Sequence, residues 1–383
     1  MFYEKNIWEE RKMIVMDIQI NNFFAFKNFH MNMSYPKKIV DSYIQEEHLK
    51  ERPNFRYKKV NILMGANATG KTSFGRMLML IFNFMHKKQS KEITDVICNR
   101  ELEASFSMDF ITHTLELYRI VTKVAPKSKG EYETSDIQVC VKKVKINQKD
   151  SYESCRNRLN EKSFEPKNNF IEELEIVKGL SWLFEYPENN DMYSIPSENI
   201  ERYQKILEYT LKALDPSITT VDRIDNVENS FVVRLQNQSA IMQDGKIIDT
   251  NILSSGTKAG IAIAHVVASI INGANGFYYC DEKFSYIHSD IEKAFLSIII
   301  NSLKSNDQLF FTTHNTDILD LPLPKHSFVF LIKDSNDESE PIKCISAAQY
   351  LKRNTDSLRN AVDNDLFSSA PSLDYVYKIA NLT

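Results

Sequence analysis

The chain has 383 residues, of which 47 are Lys or Arg and 51 are Asp or Glu, so its formal net charge is −4. This balance excludes a chain built throughout as a polycation for nucleic acid, although it leaves room for a local basic groove. Hydrophobic residues make up 43% and charged residues 26%, the mixture of a folded globular protein, which excludes extended disorder as the general state.

The apolar runs are short and the cysteines are scattered. The run near Phe295 to Ile300 is far shorter than the roughly 20 residues that cross a bilayer, so we expect no transmembrane helix and no membrane partner. The opening MFYEKNIWEERK is charged where a secretory signal carries its apolar segment, so we expect a cytoplasmic protein. Five cysteines without a CxxC pair support neither a disulfide framework nor a zinc knuckle.

Period-two alternation and a glycine turn characterise the first part of the chain. MIVMDIQINNFFAF predicts a half-buried strand whose inward side chains are Ile14, Met16, Ile18 and Ile20. KVNILMG predicts a second strand that ends at Gly65, and TSFGRMLMLIFNFMH predicts a buried helix. From Leu102 to about Lys145, the stretches ASFSMDF, TLELYRIV and IQVCVKKVKI predict an antiparallel meander.

The middle of the chain has helical patterns, and the last third alternates strands with helices. Between about residues 150 and 215, the stretches IEELEIVKGLSWLFEY and IERYQKILEYTLKAL predict a compact helical insertion without the sustained heptads of a coiled coil. SFVVRLQ then predicts a strand and KAGIAIAHVVASIIN a buried helix. The strands GFYYCDE, QLFFTTH and SFVFLIK, with the helix IEKAFLSIIINSL among them, predict a mostly parallel sheet.

The sharpest motif is GANATGKT, from Gly65 to Thr72, which fits G-x-x-x-x-G-K-[ST] between a predicted strand and a predicted helix. In such a loop, backbone N–H groups surround phosphates and the helix N-terminus adds partial positive charge. Lys71 should reach the β- and γ-phosphates of ATP, and Thr72 should place its hydroxyl on Mg²⁺. The residues expected to contact the nucleotide here are Gly65, Asn67, Ala68, Thr69, Gly70, Lys71, Thr72 and Ser73. A chance glycine turn is the simpler alternative.

Two strand ends carry candidate catalytic groups. GFYYCDE ends in Asp281, which suits Mg²⁺, and Glu282, which is placed to orient or deprotonate an attacking water. An isolated Asp-Glu pair is usually solvated, but its place at the end of a buried strand favours the functional interpretation. QLFFTTHN places His314 just past another apolar strand, where a lone His is usually structural. After an Asp-Glu strand, His314 suits a γ-phosphate sensor, so the catalytic set is Glu282, Lys71 and His314.

LSSGTKAG precedes a predicted buried helix. The simpler interpretation is that Ser254 and Ser255 cap this helix. The sharper one is that Ser254, Ser255 and Gly256 form a second anion site, which would hold a γ-phosphate presented by another subunit.

These four motifs, in this order, resemble those of the ATP-binding-cassette (ABC) ATPases, most closely the soluble branch with SMC proteins, RecF and the OLD-type and phage-defence ATPases. The resemblance covers about two thirds of the chain. It implies an α/β, P-loop ABC-type ATPase head with a mostly parallel sheet, an antiparallel β lobe and a helical insertion. The implied units are an N-terminal half of the head at 1–150, a helical insertion at 151–220, a C-terminal half at 221–335 and a helical tail at 336–383.

The resemblance also assigns residues outside the four motifs. INNFFAFKNF is similar to the opening strand of the soluble branch, which implies that Asn22 and Phe23 lie near the nucleotide. SYIHSDI resembles the segment after the catalytic glutamate, which implies that His288 and Asp290 lie in a loop that crosses to the other subunit.

The chain departs from the family pattern at three points. Lys283 follows the catalytic glutamate where many relatives have Pro, and Thr257 stands where transporters have Gln, which favours the soluble branch. For the family's Q-loop glutamine, both Gln138 and Gln148 are candidates, and each is more commonly an ordinary polar residue.

The resemblance implies a slow, regulatory ATPase that forms a homo-oligomer of head-to-head dimers, with two ATP molecules sandwiched between protomers. LRNAVDNDLFSSAPSLD resembles the tail of phage-defence ATPases of the PARIS and AbiL type. We therefore expect an antiphage sensor or regulator that holds or releases a separate toxic effector, a nuclease encoded by a neighbouring gene, because no nuclease-like acidic cluster follows the cassette. The alternatives are a RecF-like DNA-repair ATPase, with DNA on KKVKINQK and YLKRN, and a transporter subunit; solvated basic faces are the commoner meaning of those stretches.

Overall fold

The computed structural model describes residues 13–39, 42–163, 165–166, 169–177, 179–186, 199–248, 253–334, 336–353, 356–367 and 374–380. The strands in these residues are β1 (Met13–Asn21), β2 (Phe29–Asn32), β3 (His48–Leu49), β4 (Arg52–Arg56), β5 (Val60–Met64), β6 (Ala104–Thr112), β7 (Glu116–Val124), β8 (Ile137–Lys145), β9 (Trp182–Glu185), β10 (Ile218–Arg223), β11 (Ser230–Leu235), β12 (Ser239–Gln243), β13 (Lys246–Ile247), β14 (Phe277–Asp281), β15 (Gln308–Thr312), β16 (Phe328–Lys333) and β17 (Ile342–Ser346). The helices are α1 (Lys71–Lys87), α2 (Lys91–Thr94), α3 (Tyr152–Asn160), α4 (Phe170–Leu174), α5 (Ile200–Leu214), α6 (Ser255–Asn272), α7 (Ser289–Ser302), α8 (Ala347–Tyr350), α9 (Leu358–Asp363) and α10 (Asp374–Ala380).

A six-stranded sheet forms the centre of the molecule, in the order β17-β16-β5-β15-β14-β9. Its neighbouring strands run parallel, except that β17 is antiparallel to β16. Every residue of β5, β14 and β15 is buried, the pattern of parallel strands covered on both faces. The prediction of a mostly parallel sheet is therefore confirmed, and β5, from early in the chain, lies between two strands from its last quarter.

Helices cover both faces of the central sheet. On one face, α1 packs its aromatic side chains on the sheet: the ring centroids of Phe82 and Phe277 are 5.0 Å apart, and those of Phe74 and Phe310 are 6.1 Å apart. On the other face, α6 and α7 join a separate apolar cluster that includes Tyr278 of β14. None of the helices built from the described residues is long and apolar enough to cross a membrane.

A five-stranded antiparallel sheet, β2-β1-β6-β7-β8, forms the predicted β lobe. The expected single inward face of β1 is wrong. Ile14 and Met16 lie in the cluster with β4 and α3, whereas Ile18 and Ile20 lie in the cluster with α1. The reason is an irregularity between Val15 and Asp17, where the register with β6 shifts by one residue. An extra residue in a strand sends the following side chains to the opposite face.

The region predicted as a helical insertion contains α3, α4 and α5, but it also contributes a strand. The piece IEELEIVKGLSWLFEY is not one helix, because α4 ends at Leu174 and Gly179 has a left-handed φ of +76°. Beyond it, β9 pairs in parallel with β14, and the Trp182 ring packs 5.5 Å from that of Phe82. Packing between these aromatic rings favours the place of this segment in the sheet.

Two further elements complete the fold. The four-stranded antiparallel sheet β10-β11-β12-β13 packs with α5 and α6 in a cluster of its own. The segment predicted as a helical tail begins with β17, whose pairing with β16 extends the central sheet, and only then continues as short helices. The domain boundaries given above stay predictions.

Candidate active site

The glycine-rich loop at residues 65–70 joins the end of β5 to the start of α1. Gly65 and Gly70 have φ angles of +148° and +100°, which favour glycine. A Cβ atom on Gly65 would lie 2.4 Å from the Leu331 carbonyl oxygen, so a larger residue is excluded there. Thr69 closes the loop by donating to the Ala66 carbonyl oxygen at 2.9 Å. No side chain among the described residues caps the N-terminus of α1, so its backbone N–H groups are available to an anion.

The other predicted residues of this loop lie around its rim and at the start of α1. Asn67 and Ala68 are exposed, and Ala68 has a left-handed φ of +63°. Thr72 and Ser73 follow Lys71 in the first turn of α1 and are half-buried. The loop therefore has the shape that the sequence motif predicts.

Lys71 folds back over the loop that precedes it. Its side chain is 4% exposed, and its Nζ donates to the carbonyl oxygens of Gly65 at 3.0 Å and Ala66 at 3.2 Å. The same Nζ lies 3.4 Å from Glu282 Oε1. Burial lowers the pKa of the Lys71 ammonium, and the Glu282 carboxylate partly offsets that effect.

Asp281 is fully buried and accepts two hydroxyl hydrogen bonds. Thr72 Oγ1 donates to Asp281 Oδ2 at 2.6 Å, and Thr312 Oγ1 donates to Asp281 Oδ1 at 2.7 Å. Burial raises the pKa of Asp281, and the two hydrogen bonds act in the opposite direction. The hydroxyl of Thr72 and the carboxylate of Asp281 are oxygen ligands of the kind that Mg²⁺ prefers, and their contact places them where both can reach one cation. These residues therefore fit the predicted magnesium site.

Glu282 and His314 form a hydrogen-bonded pair next to Lys71. Glu282 has a left-handed φ of +46°, unusual for a residue with a side chain, and its carboxylate Oε1 lies 2.8 Å from His314 Nε2. This hydrogen bond lowers the pKa of Glu282, so its carboxylate is ionised at neutral pH. His314 Nε2 also lies 3.2 Å from Lys71 Nζ. Because a nitrogen that donates to the carboxylate cannot also accept from an ammonium, the bond to Glu282 fixes the proton on Nε2.

A second row of polar groups, which the sequence interpretation missed, holds the turn that carries His314. Glu292 of α7 is buried, and it accepts from Thr313 Oγ1 at 2.7 Å and from Asn315 Nδ2 at 2.8 Å. Burial raises the pKa of Glu292, and the two donors act against that rise. Thr313 and Asn315 flank His314 in TTHN, so the motif itself was the available signal. The sequence interpretation also missed Thr312, in the same motif, as a hydrogen-bond donor to Asp281.

The segment LSSGTK caps α6, which confirms the simpler interpretation for Ser254. Ser254 Oγ accepts from the Thr257 N–H at 3.1 Å, and buried Thr257 donates to Asp215 Oδ2 at 3.3 Å. Ser254 and Ser255 are exposed, and a Cβ atom on Gly256 would lie 3.3 Å from a backbone oxygen of the loop after Glu282. An anion site that serves another subunit stays a prediction.

The loop after Glu282 leads to a second capped helix. His288 caps α7, since its Nδ1 accepts from the Asp290 N–H at 3.3 Å. Both side chains are 71% exposed, so they lie on the molecular surface. That His288 and Asp290 lie in a loop that crosses to another subunit stays a prediction.

Asn22 and Phe23 lie inside the β lobe. The Asn22 amide donates to the carbonyl oxygens of Asn99, Leu102 and Glu103, and its Oδ1 accepts from the Asn99 N–H at 2.8 Å. Phe23 is completely buried in the cluster shared by the lobe and α1. These contacts give Asn22 a role in anchoring residues 99–103, and a nucleotide contact by either residue stays a prediction.

The Q-loop candidates and the basic stretch lie on the lobe. Gln138 of β8 and Gln148, just beyond β8, are both exposed at the edge of the five-stranded sheet. Lys142 donates to the Lys162 carbonyl oxygen at 2.6 Å, and Lys143 donates to Glu116 Oε2 at 3.0 Å. These two lysines of KKVKINQK therefore have local partners, as expected of an ordinary solvated face.

Comparison with known proteins identifies the fold. No family model and no curated protein matches the chain. An SMC head bound to the C-winged helix domain of ScpA matches with a TM-score of 0.51 at 13% identity, over 88% of this chain and 99% of that one. An SMC head from Pyrococcus furiosus, bound to the C-terminal domain of ScpA, matches with a TM-score of 0.51 at 12% identity, over 89% and 98%. The recombination mediator protein RecF matches with a TM-score of 0.41 at 11% identity, over 84% and 96%. The chain therefore has the fold of an SMC head domain, as its motifs predict.

Proposed function

We propose that this chain binds Mg²⁺ and ATP at residues 65–72 and hydrolyses the ATP with Glu282 as the general base. The observation that carries the proposal is the convergence of four ionisable side chains, those of Lys71, Asp281, Glu282 and His314, near the carboxyl ends of β5, β14 and β15. Parallel strands present their carboxyl ends at one edge of a sheet, which is where ligands bind in open α/β folds.

The residues divide the chemistry among them. The N–H groups at the start of α1 and the Lys71 ammonium bind the phosphates. Thr72 and Asp281 would hold Mg²⁺, which would offset charge on the phosphate oxygens. The Glu282 carboxylate, ionised at neutral pH, accepts a proton from the attacking water. Phosphates compete with Glu282 for Lys71, so nucleotide binding releases Glu282 from its contact with the ammonium.

A second copy of the chain completes each site. The exposed Ser254 and Ser255 and the half-buried Gly256 lie at the N-terminus of an 18-residue helix, where backbone dipoles favour an anion. In a head-to-head dimer, this segment of each protomer faces the phosphates held by the other. We propose such dimers as the unit of a homo-oligomer with slow, regulatory turnover.

The hydrolysis proposal is tested with two substitutions that separate binding from chemistry. Glu282→Gln should bind ATP with near-parental affinity and hydrolyse it at least ~100-fold more slowly, because it removes the general base. Lys71→Ala should lose ATP binding, since no other cation replaces its ammonium in the loop. A Glu282→Gln protein that hydrolyses ATP at the parental rate would show that the base is assigned wrongly.

The shared site is tested by mixing two inactive variants. Lys71→Ala disables the phosphate loop, and Ser255→Arg disables the helix N-terminus that faces the partner. In a mixed dimer, one site combines both defects and the other combines the two intact halves, so the mixture should regain ATPase activity that neither variant has alone. A mixture as inactive as its components would place the Ser255 contribution within one chain.

The biological role of ATP binding is a separate proposal. We propose that the ATP-bound state holds or releases a separate toxic effector, such as a nuclease, in antiphage defence. Two observations support a role with a partner chain: the C-terminal motif resembles those of defence ATPases, and both SMC heads named above carry a domain of another protein, ScpA. Co-expression with products of neighbouring genes should yield a complex whose stability depends on ATP. ATP turnover that is stimulated by gapped duplex DNA and unaffected by those products would favour the RecF-like role.

A further inference from the structure

Lys283, which directly follows the proposed base, turns its side chain into the interior. It is 5% exposed, and its Nζ donates to the Tyr186 carbonyl oxygen at 2.7 Å. The same Nζ lies 3.7 Å from Glu185 Oε2, and both side chains of this ion pair are almost completely buried. Lys283 therefore connects the end of β14 to the end of its neighbour β9.

The residues that Lys283 contacts, Glu185 and Tyr186, are held in place by packing. Glu185 closes β9 and is in register with Cys280 of β14. The ring of Tyr186 is buried and stacks on that of Phe184, with centroids 6.3 Å apart and an interplanar angle of 7°. The guanidinium carbon of Arg76 lies 5.9 Å from the Tyr186 ring centroid. The carbonyl that Lys283 binds thus belongs to a packed part of the fold.

Two hydrogen bonds to neighbouring strands hold the backbone around Glu282. On one side, its N–H donates to Thr312 Oγ1 of β15 at 2.9 Å, and on the other side the Lys283 side chain reaches beyond β9. A left-handed φ at a non-glycine residue is energetically unfavourable and persists only when the surroundings hold it. The φ of +46° at Glu282 is such a conformation, and it orients the carboxylate toward His314.

Stability alone explains the Lys283 contact poorly. Removing two charges from water costs about as much as their attraction returns, so a well-packed apolar pair is often as stable as a buried ion pair. The hydrogen bond instead links Lys283, the residue after Glu282, to the Tyr186 carbonyl at the end of the neighbouring strand β9.

We infer that Lys283 is a positioning residue for ATP hydrolysis: its ammonium holds the backbone after Glu282 so that the carboxylate keeps its place beside His314. This inference rests on the proposed function, because it concerns the same site. It also gives a physical reason for a lysine at this position. The lysine side chain is long enough to reach the Tyr186 carbonyl oxygen, and its ammonium donates a hydrogen bond to it.

The test uses Lys283→Met, Glu185→Gln, the double variant and a matched control. The control is Lys58→Met, because Lys58 is also buried and donates to a backbone carbonyl, that of Asn32, at 3.0 Å. Lys58 precedes β5 at the end of the sheet opposite the candidate site. For each protein, kcat, the Kd for ATP and the thermal unfolding midpoint are measured.

Lys283→Met should lower kcat about tenfold or more and change the Kd for ATP by less than about twofold, because Lys71 and Thr72 are untouched. Lys58→Met should keep the parental kcat. In the double variant Lys283→Met/Glu185→Gln, removal of both charges should return the unfolding midpoint toward the parental value while kcat stays low.

Two results would overturn the inference. One is a folded Lys283→Met protein with parental kcat, and the other is recovery of kcat in the double variant together with the unfolding midpoint, which would show a purely structural role. If Lys283→Met does not fold, the double variant supplies the same comparison. If the parental protein itself lacks ATPase activity, the proposed function fails, and this outcome is distinct from failure of the Lys283 inference alone.

Discussion

Replacing Thr312 with Val tests how the buried carboxylate of the site is stabilised. The substitution exchanges one hydroxyl for a methyl group at a side chain that is 1% exposed. It removes the 2.7 Å hydrogen bond to Asp281 Oδ1 and the 2.9 Å bond that the hydroxyl accepts from the Glu282 N–H. Thr72 stays as a donor to Asp281, and the Glu282 N–H keeps a longer contact, 3.3 Å, with the Thr312 carbonyl oxygen.

The expected loss follows from these contacts. A hydrogen bond to a charged group contributes about 1.5–3 kcal/mol, so we expect Thr312→Val to lower the free energy of unfolding by about 2–4 kcal/mol near pH 7.5. Burial already raises the pKa of Asp281, and loss of a donor raises it further. A carboxyl group with a raised pKa in the folded state destabilises the fold above that pKa, and the penalty disappears as the pH falls through it. The difference between variant and parent should therefore shrink toward about pH 5.

The assay is urea denaturation of the nucleotide-free protein without Mg²⁺ at both pH values. The control is Thr122→Val, because the Thr122 hydroxyl is also fully buried but has no hydrogen-bond partner within the described part of the chain. This control should be as stable as the parent or more stable, since it removes an unsatisfied polar group. An equal loss in both variants, or a loss in Thr312→Val that does not change with pH, would refute the reasoning.

Three further substitutions test packing and hydrogen bonds, two of them next to α1 and one in the β lobe. Gly75→Ala should lower the unfolding free energy by about 1–3 kcal/mol in denaturant titrations, because its Cβ would lie 2.3 Å from the Tyr279 ring; parental stability would contradict this packing. Tyr279→Phe should cost about 1 kcal/mol and weaken ATP binding in calorimetry, since its hydroxyl donates to the Lys71 carbonyl oxygen at 2.7 Å; unchanged stability and affinity would count against this. Asn22→Ala should lower the thermal midpoint and leave the Kd for ATP unchanged, because its amide anchors residues 99–103; a well-folded variant that binds ATP poorly would instead support a nucleotide contact.

The phosphate loop and the Asp281-Glu282 pair could be predicted from the sequence because each is a short contiguous pattern at the end of a strand. The partner of Asp281 could not, because the hydrogen bond from Thr312 depends on the register of β14 with β15, in which Asp281 lies opposite Thr312. Register between distant strands is set by packing of the whole sheet. The same limit applies to Lys283, whose contact with Tyr186 depends on where β9 pairs.

Two of the differences between the predicted and the observed fold have similar causes. The irregularity in β1 leaves the run of apolar residues intact and changes only which face each one meets, so period-two counting cannot detect it. The segment of β9 is short and aromatic, and its apolar spacing is compatible with a helix or a strand. Pairing with β14 and packing on Phe82 decide between them.

The place of β5 between β15 and β16 has a consequence for how the protein is made. During synthesis β5 emerges from the ribosome long before β15 and β16, so both of its edges are unpaired until those strands have been made. Unpaired apolar strand edges favour misassembly, so we expect the nascent chain to be most prone to it during that interval. A chain that ends before residue 308 would lack both neighbours of β5, so its phosphate loop would follow an unpaired strand.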